Sequence, residues 1–491
     1  MNLPTEIYTV ESVRNIDRAA IDDAGIGGYT LMCRAGQAAL DAIVARFPDA
    51  RRWQVICGSG NNGGDGYVVA RLAAERGIAV SVLAMAPPDK LGGDAATAYM
   101  DFAALGGAVA DERGGLDADA DLLVDGLLGS GLERDVEGRY AEIVDRINRH
   151  PAPAVALDIP SGLHGDTGAI KGVAVRAGLT ITVVGLKSGL YLDAGPALAG
   201  DIVFAGLDIP VECRDGEAPI MRRIDGKILD KALPSRKRDA HKGHFGHVLV
   251  VGGGPGMPGA VRLCGESALR VGAGLVSIAT HPDHGMLVPA SRPELMCHGV
   301  ASADDLRPLL DRASVIAVGP GLGDSEWSGG ILDAVLESSL PMVIDADALN
   351  LLADRGARAD DWILTPHPGE AARLLGLSTQ EVQADRRAAL ASLVDRYGGI
   401  SVLKGSGTLV SSRKGQPWLC SAGNPGMASA GMGDVLTGVI AGLRAQKLSS
   451  GLAAVAGVQV HAMAGDRAAE SGERGLIASD LIAEIRACVN P

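Results

Sequence analysis

The 491-residue chain has few aromatic side chains, no excess of basic residues and no long apolar segment. Phe, Trp and Tyr make up 3% of it, and its formal net charge at pH 7 is −14. A protein that grips a nucleic-acid backbone needs a basic surface, so we expect no nucleic-acid partner. No apolar run reaches the roughly 18 residues of a membrane helix, and the N-terminus lacks a signal-peptide pattern. We therefore expect a cytoplasmic protein with no membrane partner.

Two common site signatures are also missing. The seven cysteines are scattered and contain no Cys-x-x-Cys pair, which disfavours a zinc or dithiol redox site and predicts reduced thiols. The sequence G-x-x-x-x-G-K-[ST] does not occur, which disfavours P-loop phosphoryl chemistry. Glycine is abundant instead, at 68 residues, and tight backbone turns around ligands would explain that number.

The chain is longer than one hydrophobic core usually supports, so we expect two large domains. Short apolar runs alternate with amphipathic helical patterns in both halves, which predicts parallel sheets covered by helices. The alternation breaks in the polar stretch around residues 212–245, so we predict domains at 1–220 and 221–491. The predicted strands of the first half centre on 55–57, 80–83, 122–124, 155–157 and 180–184, and those of the second on 247–251, 275–278, 315–318, 342–344, 362–364 and 401–403.

Ligands of open α/β sheets gather beyond the carboxyl ends of the strands. In the first half three of these ends are glycine-rich and polar: GSGNNGGDG (58–66), DGLLGSGL (125–132) and DIPSGLHGDTG (158–168). The first contains G-x-G-x-x-G, the pattern of a redox dinucleotide site. The next strand lacks the ribose-binding carboxylate that such a site needs, so a binding loop remains predicted without hydride transfer.

Asn62, Asp125 and Ser161 each follow a strand and offer only oxygen atoms, the ligand type that K⁺ and Mg²⁺ prefer. Helix capping by Asp and Ser is an equally good explanation at this point. For Asp158 capping is a weaker explanation, because Ile159-Pro160 continues the chain without a helical pattern.

The three motifs, in this order, resemble the NAD(P)H-hydrate epimerase family over roughly residues 1–215. The resemblance implies a Rossmann-like α/β/α sandwich, a K⁺ site at Asn62, Asp125 and Ser161, and Asp158 beside the substrate as the catalytic residue. It also implies two substrate-binding loops, made of Asn61, Asn62, Gly63, Gly64 and Asp65, and of Gly129, Ser130, Gly131, Leu132, Glu133, Arg134 and Asp135.

In the second half, small residues in GNPGMASAGMGDVLTGVIAGL (423–443) lead into a helix predicted to begin near Gly433. The free N–H groups of such a helix start attract a phosphate or a developing anion. Asp434 at this point is suited to accept a substrate hydroxyl proton, or simply to cap the helix.

This segment resembles the ribokinase-like superfamily, although Met432 departs from the G-A-G-D ending of its kinases. Together with KGHFG, GPGLG, LTPHPGE and LKGSGT it resembles the ADP-dependent NAD(P)H-hydrate dehydratase family, which implies a ribokinase-like α/β/α domain. The resemblance implies that the hydrate lies against Ala260, Gly321, His367 and Asp434 and that the nucleotide is bound by Lys404, Gly405, Ser406, Gly407, Thr408 and Gly433. We predict that Asp434 is the catalytic residue and activates the C6 hydroxyl of the hydrate.

Plainer explanations exist for single residues. Lys404 is alternatively a solvated lysine, His367 a histidine bonded to backbone, and Asp345 or Asp347 a structural anchor. Their joint placement at strand ends of one predicted sheet favours a site.

The resemblance implies repair of hydrated NADH and NADPH by epimerisation and ADP-dependent dehydration, with K⁺ in the first domain, Mg²⁺ in the second and ADP as co-substrate. The partners expected are NAD(P)H hydrates, ADP and further copies of the chain in a homo-oligomer. The alternative is a ribokinase-type vitamin kinase fused to a non-catalytic binding module.

Overall fold

The computed structural model describes residues 3–111 and 114–490. These residues form two compact units, one ending at Arg222 (unit 1) and one beginning at Arg223 (unit 2). Within the described ranges, no helix combines the length and apolar composition needed to cross a membrane.

Unit 1 is built on a parallel sheet in the strand order β4-β3-β2-β5-β6-β7-β9. A separate short strand, β1, pairs with β8 and with β10. The strands are β1 Glu6–Tyr8, β2 Arg52–Cys57, β3 Ala79–Ala84, β4 Ala108–Asp111, β5 Leu122–Gly126, β6 Ala154–Leu157, β7 Leu179–Val183, β8 Leu186–Lys187, β9 Asp201–Ala205 and, at the boundary, β10 Met221–Arg223. The helices are α1 Val10–Asp22, α2 Gly28–Arg46, α3 Asn61–Glu75, α4 Gly93–Ala104, α5 Gly138–Arg149 and α6 Gly195–Leu198.

Helices cover both faces of this sheet, which explains its continuous apolar strands. Because neighbouring side chains of a strand point to opposite faces, Val55 and Cys57 of β2 pack in the core that contains α2, α3 and α4. Ile56, between them, packs in a second core with Val144 of α5. The predicted α/β/α arrangement is therefore confirmed for unit 1.

Unit 2 contains a sheet in the order β13-β12-β11-β14-β15-β16-β17-β18-β19. It is parallel from β13 to β17, and β18 and β19 add an antiparallel edge. The strands are β11 His247–Val251, β12 Leu275–Thr280, β13 Met296–Gly299, β14 Val315–Val318, β15 Met342–Ile344, β16 Trp362–Leu364, β17 Ile400–Leu403, β18 Thr408–Ser412 and β19 Trp418–Cys420.

The helices of unit 2 are α7 Lys227–Ala232, α8 Pro258–Val271, α9 Ala303–Leu310, α10 Glu326–Leu336, α11 Ala346–Ala353, α12 Pro368–Leu375, α13 Thr379–Ala384, α14 Arg386–Tyr397, α15 Met432–Ala445, α16 Ser450–Ala468 and α17 Ala478–Cys488. Buried side chains of α8, α15 and α16, among them Val261, Ile440 and Val458, pack against the sheet. This packing fixes the start of α15 at the carboxyl ends of the strands.

The predicted apolar runs overlap the central strands of both sheets, and the α/β class is confirmed. Strands β4, β9 and β13 were not predicted, because they are edge strands whose side chains are partly exposed and form no continuous buried run. The sequence also does not predict the antiparallel β18 and β19, because only helices are expected after the strand at 401–403.

Close packing of α15 on α8 predicts a cost for added volume at Gly438. A Cβ there would collide with the carbonyl of Cys264 and the hydroxyl of Ser267. We expect Gly438→Ala to lower the free energy of unfolding by about 1–3 kcal/mol. Gly330→Ala is the matched control, since this helical glycine has no atom within 4 Å of the new Cβ, and alanine favours the helix. Denaturant-induced unfolding of both variants checks the difference, and equal stabilities would contradict the packing.

Candidate active sites

A cleft of about 680 Å³ lies at the carboxyl ends of the strands of unit 1. It is bounded by the loops after β2, β5 and β6, by the first turn of α3 and by α1 and α2. Its charged lining residues are Arg14, Asp17, Asp65, Asp94, Glu133, Arg134, Asp158 and Lys187. The position matches the general rule for ligands of open α/β sheets.

Asp158 and Lys187 form a buried ion pair in this cleft. The side chain of Lys187 is 1% exposed, and its ammonium also donates to the Thr182 hydroxyl and the Val183 carbonyl. Burial alone would raise the pKa of Asp158, but the Lys187 charge outweighs it and holds the pKa below its ordinary value. Asp158 also has a φ of 64°, a left-handed conformation that non-glycine residues rarely adopt and that often marks a functional position.

Asn62 and Ser161 contact the backbone of Leu128 beside the cleft, and Ser161 also contacts Asp125. The Ser161 hydroxyl lies 2.6 Å from Asp125 Oδ1, the Leu128 carbonyl accepts from Ser161 Oγ at 3.1 Å, and it also accepts from Asn62 Nδ2 at 3.0 Å. Among the described residues the buried Asn62 Oδ1 has no hydrogen-bond partner. Burial raises the pKa of Asp125 to about 6, and no cationic side chain offsets it. An unsatisfied oxygen beside an uncompensated buried carboxylate is the chemistry that fits a hard cation.

Two further carboxyl groups in the cleft have raised pKa values. Burial raises the pKa of Asp65 well above its ordinary value, and the charges of Asp158 and Asp17 add to the effect. Burial also raises the pKa of Asp17. The charge of Lys187 therefore acts on three carboxyl groups, but only for Asp158 does it lower the pKa below the ordinary value.

Most of the residues predicted for the unit 1 substrate site line the cleft, namely Asn61, Asn62, Asp65, Gly129, Ser130, Gly131, Leu132, Glu133, Arg134 and Asp158. One expectation needs correction, because Asn61 to Asp65 form the first turn of α3 and not a loop. Gly63 and Gly64 pack against Gly58 and Met32, and Asp135 is not among the residues that line the cleft. Substrate contacts by these three stay predictions.

Sequence reasoning missed Arg14, Asp17 and Lys187. Arg14 and Asp17 lie on α1, which follows the short, unpredicted strand β1, and Lys187 ends a two-residue strand. The missing side chain at Gly131 leaves room for the Arg14 guanidinium. The only signal for Arg14 and Asp17 in the sequence is a cluster of charges on an amphipathic helix, and such a cluster usually belongs to the solvent-exposed face.

The candidate site of unit 2 lies at the start of α15. Gly431 occupies the N-cap position with a φ of 86°, and no side chain caps the helix there. Asp434 is in the first turn and makes no hydrogen bond or ion pair with another described residue. The N-cap explanation for Asp434 is therefore wrong. Burial and the nearby Asp345 carboxylate raise the pKa of Asp434 to about 7.

Lys404 contributes a positive charge to this site. Its ammonium lies 2.7 Å from Asp345 Oδ1 and 3.7 Å from Glu370 Oε2, and a Cβ at Gly433 would lie 3.2 Å from it. Asp345, 1% exposed, also accepts from the Thr437 hydroxyl at 2.7 Å. Burial raises the pKa of Asp345, but Lys404 outweighs it and the net pKa is lowered. The solvated-lysine explanation for Lys404 is wrong.

His367 caps α12, and its Nδ1 accepts from the backbone of Gly369 at 3.0 Å and of Glu370 at 3.2 Å. Glu370 in return accepts from the His367 backbone at 2.7 Å. Burial raises the pKa of Glu370. The backbone-bonded explanation thus describes Nδ1 of His367, while the exposed side of its ring is available to a ligand.

Arg386 anchors the loop from Lys404 to Thr408 through hydrogen bonds to its backbone. The Arg386 guanidinium donates to the carbonyls of Leu403, Lys404 and Gly407 at 3.2–3.3 Å. These bonds direct the carbonyl groups inward and fix the predicted nucleotide loop, which comprises Lys404, Gly405, Ser406, Gly407 and Thr408.

Ala260 and Gly321 are neighbours, because a Cβ at Gly321 would lie 3.0 Å from the Ala260 side chain. Asp347 accepts from the backbone of Gly323 at 2.8 Å, which anchors the GPGLG loop as the structural explanation predicted. The Asp347 charge also contributes to the raised pKa of Asp434. Asp347 therefore both anchors the GPGLG loop and acts on Asp434.

Comparison with known proteins identifies the family of both units. Residues 28–189 match the family model described as YjeF-related protein N-terminus, and residues 248–487 match the model described as NAD(P)H-hydrate dehydratase. The chain is 49% identical to the bifunctional NAD(P)H-hydrate repair enzyme Nnr of Coxiella burnetii, over 99% of this chain and 100% of that protein. The chain belongs to the bifunctional NAD(P)H-hydrate repair enzyme family.

The family member of Escherichia coli K12 is 43% identical over 100% of this chain and 95% of that protein. A crystal structure of a ribokinase-like superfamily protein from Enterococcus faecalis V583 has a TM-score of 0.50 and 28% identity, covering 55% of this chain and 95% of that one. The family membership and the ribokinase-like prediction are confirmed.

The Asp158–Lys187 pair predicts a large effect of Lys187→Met. Removing one partner of a buried ion pair leaves an uncompensated charge, so we expect a loss of about 3–5 kcal/mol in the free energy of unfolding of unit 1. Lys90→Met removes an exposed lysine of the same unit and should change it by less than about 0.5 kcal/mol. Hydrogen exchange of β6 and β7 amides in the full chain measures both. Similar values for the two variants would refute the pairing.

Proposed function

We propose that this chain repairs hydrated NADH and NADPH in two steps. Unit 1 interconverts the R and S hydrates at C6, and unit 2 uses ADP to dehydrate the S hydrate to NAD(P)H, releasing AMP and phosphate. The observation that carries the proposal is the Asp434 carboxyl, which has a pKa near neutrality at the uncapped start of α15, beside Lys404.

In unit 2 the leaving group is the chemical obstacle, because hydroxide departs poorly from C6. Asp434 removes the proton of the C6 hydroxyl, whose oxygen attacks the β-phosphorus of ADP while AMP departs. Phosphate then leaves C6, the C5 proton passes to solvent, and the C5–C6 double bond is restored. General-base help of this kind typically contributes about 10²- to 10⁴-fold. Free N–H groups of α15 and the Lys404 ammonium stabilise the charge of the transferred phosphoryl group.

The nucleotide is bound by the loop from Lys404 to Thr408 and by Gly433, and the hydrate lies against Ala260, Gly321, His367 and Asp434. Mg²⁺ fits the site by charge, since the charges of Asp345, Asp347 and Glu370 all act on Asp434, and Lys404 already pairs with Asp345 and Glu370. Mg²⁺ would neutralise the nucleotide phosphates, with Glu370 as an indirect ligand.

In unit 1, Asp158 is the catalytic residue, and Lys187 keeps it ionised so that it acts as a base towards the C6 hydroxyl. The cleft residues Asn61 to Asp65 and Gly129 to Asp135 hold the hydrate. K⁺ would be held by Asn62, Asp125 and Ser161, where it would offset the buried Asp125 charge and fix the loops on either side.

We place the protein in the cytoplasm as a homo-oligomer, with NAD(P)H hydrates and ADP as its small-molecule partners and with neither nucleic acid nor membrane. A ribokinase-type vitamin kinase is the alternative, and its products differ: a kinase accumulates a phosphorylated substrate, whereas the repair reaction releases phosphate and a dihydronicotinamide.

The test supplies both hydrate epimers, ADP and Mg²⁺ to the full chain and follows dihydronicotinamide absorbance. We expect complete recovery with the wild type, recovery of only the S fraction at the normal fast rate with Asp158→Asn, and neither fraction recovered with Asp434→Asn. The Asp434→Asn chain should still equilibrate the epimers. Accumulation of a phosphorylated hydrate, or full dehydration by Asp434→Asn, would reject the proposal.

The pKa of Asp434 sets the sign of the pH dependence. The base form exists above the pKa, so the rate of dehydration at low substrate concentration should rise as the pH increases through about 7 and then level off. Initial rates between pH 5.5 and 8.5 measure this, with unfolding monitored in parallel. A rate that falls across this range would contradict a base role.

Exchange of K⁺ for Na⁺ tests the cation site independently of activity. We expect K⁺ to raise the thermal unfolding temperature of the wild-type chain, because it binds the folded state only. Asn62→Leu removes the unsatisfied oxygen and should abolish the difference between the two salts. A shift of equal size in both chains would show that the cation binds elsewhere.

A further inference from the structure

The unit 1 cleft contains more proton-carrying groups than a single base requires. Asp158 has the Lys187 ammonium and the Ser130 backbone as partners. Asp65 lines the same cleft and makes no hydrogen bond or ion pair within residues 3–111 and 114–490. It follows Asn62 by three positions in the first turn of α3, so both side chains face the same side of the helix.

Gly129 lies close to both Asn62 and Asp158. A Cβ at Gly129 would lie 3.3 Å from the Asn62 Cβ and 3.8 Å from Asp158 Oδ2. The first turn of α3, which bears Asn62 and Asp65, therefore lies close to Asp158. Asp65 and Asp158 both line the cleft, and the negative charge of Asp158 acts on Asp65.

We propose that Asp65 is the acid of the epimerase, the partner of the base Asp158. The assignment rests on the proposed function of unit 1 and adds a second catalytic residue to it. Asp65 differs from Asp158 in having no cation of its own, and its raised pKa keeps the proton that an acid must carry.

The step balances as a reversible ring opening. Asp158 takes the proton of the C6 hydroxyl, the C6–N1 bond breaks with its electron pair going to N1, and Asp65 delivers its proton to N1, leaving an aldehyde at C6. After rotation about the C5–C6 bond the opposite face of the aldehyde meets N1. N1 then attacks C6, Asp65 recovers its proton, and Asp158 returns its proton to the oxygen.

Asp17 is the nearest competitor for this role. Among neighbouring charges, Lys187 affects its pKa most and lowers it, whereas the neighbour with the largest effect on Asp65 is the negative Asp158. Asp65 therefore holds its proton more firmly than Asp17. The charged groups that line the cleft around them are Arg14, Asp94, Glu133, Arg134, Asp158 and Lys187.

The experiment follows conversion of pure S hydrate to the R epimer by the full chain without ADP. We expect Asp65→Asn to slow conversion by about 10²-fold or more, Asp65→Glu to recover part of the rate, and Asp17→Asn to slow it by less than about tenfold. Asp49→Asn, a change at an exposed carboxylate of unit 1, is the control and should convert at the wild-type rate.

The pH profile separates acid catalysis from a structural role. The wild-type rate should fall on the alkaline side as the acid loses its proton, and the residual rate of Asp65→Asn, measured at saturating hydrate, should lose that limb. An active wild type with an equally active Asp65→Asn overturns the acid role alone, as does a slow Asp65→Asn that keeps the alkaline limb. A wild type that leaves the S hydrate unchanged overturns the proposed epimerase, and the acid role with it.

Discussion

One lysine in each unit lowers the pKa of one carboxyl group at the carboxyl ends of the strands and keeps that group ionised. Lys187 pairs with Asp158 in unit 1, and Lys404 pairs with Asp345 in unit 2. Each lysine outweighs the cost of burial for its own partner and lowers that partner's pKa. Burial and like charges raise the pKa values of Asp17 and Asp65 in unit 1 and of Glu370 and Asp434 in unit 2. Each site thereby contains one carboxyl group with a lowered pKa and others with raised values.

This imbalance of charge also explains why both sites suit added cations. Asp125 beside the unit 1 cleft has hydrogen bonds but no cationic partner, and Glu370 and Asp434 in unit 2 share Lys404 with Asp345. A cation that entered either site would lower the electrostatic cost of these groups. Parallel strands bring their carboxyl ends to one edge of the sheet, so acidic residues that follow different strands lie close together.

The class of fold and most of the site could be predicted from the sequence, since both depend on local patterns. Apolar runs marked the central strands, and the residues after them included Asp158 and Asp345, while the segment of small residues before α15 marked Asp434. Lys187 could not be found this way, because its importance comes from contacts with Thr182, Val183 and Asp158 that only the folded sheet creates. The same holds for Arg14 and Asp17, which α1 brings to a cleft made by other elements.

The local sequence also could not distinguish a residue that caps a helix from one that is free to act in catalysis. His367 does cap its helix, yet Asp434 does not, although both precede or begin a helix in a glycine-rich segment. The difference is that Gly431 occupies the N-cap position of α15 in a left-handed conformation, so Asp434 lies within the first turn of the helix and not at its cap. Gly63 and Gly64 were predicted from a binding motif, and the structure shows that their lack of side chains also serves close packing.

The most direct test of the account is a ¹³C NMR titration of aspartate carboxyl groups in the full chain, with Asp158 and Asp434 assigned from their Asn variants. The account predicts that Asp158 titrates below its ordinary value and Asp434 near pH 7. Titration of both groups at the ordinary value of about 3.9 would show that the buried lysines do not divide the carboxyl groups, and would contradict the account.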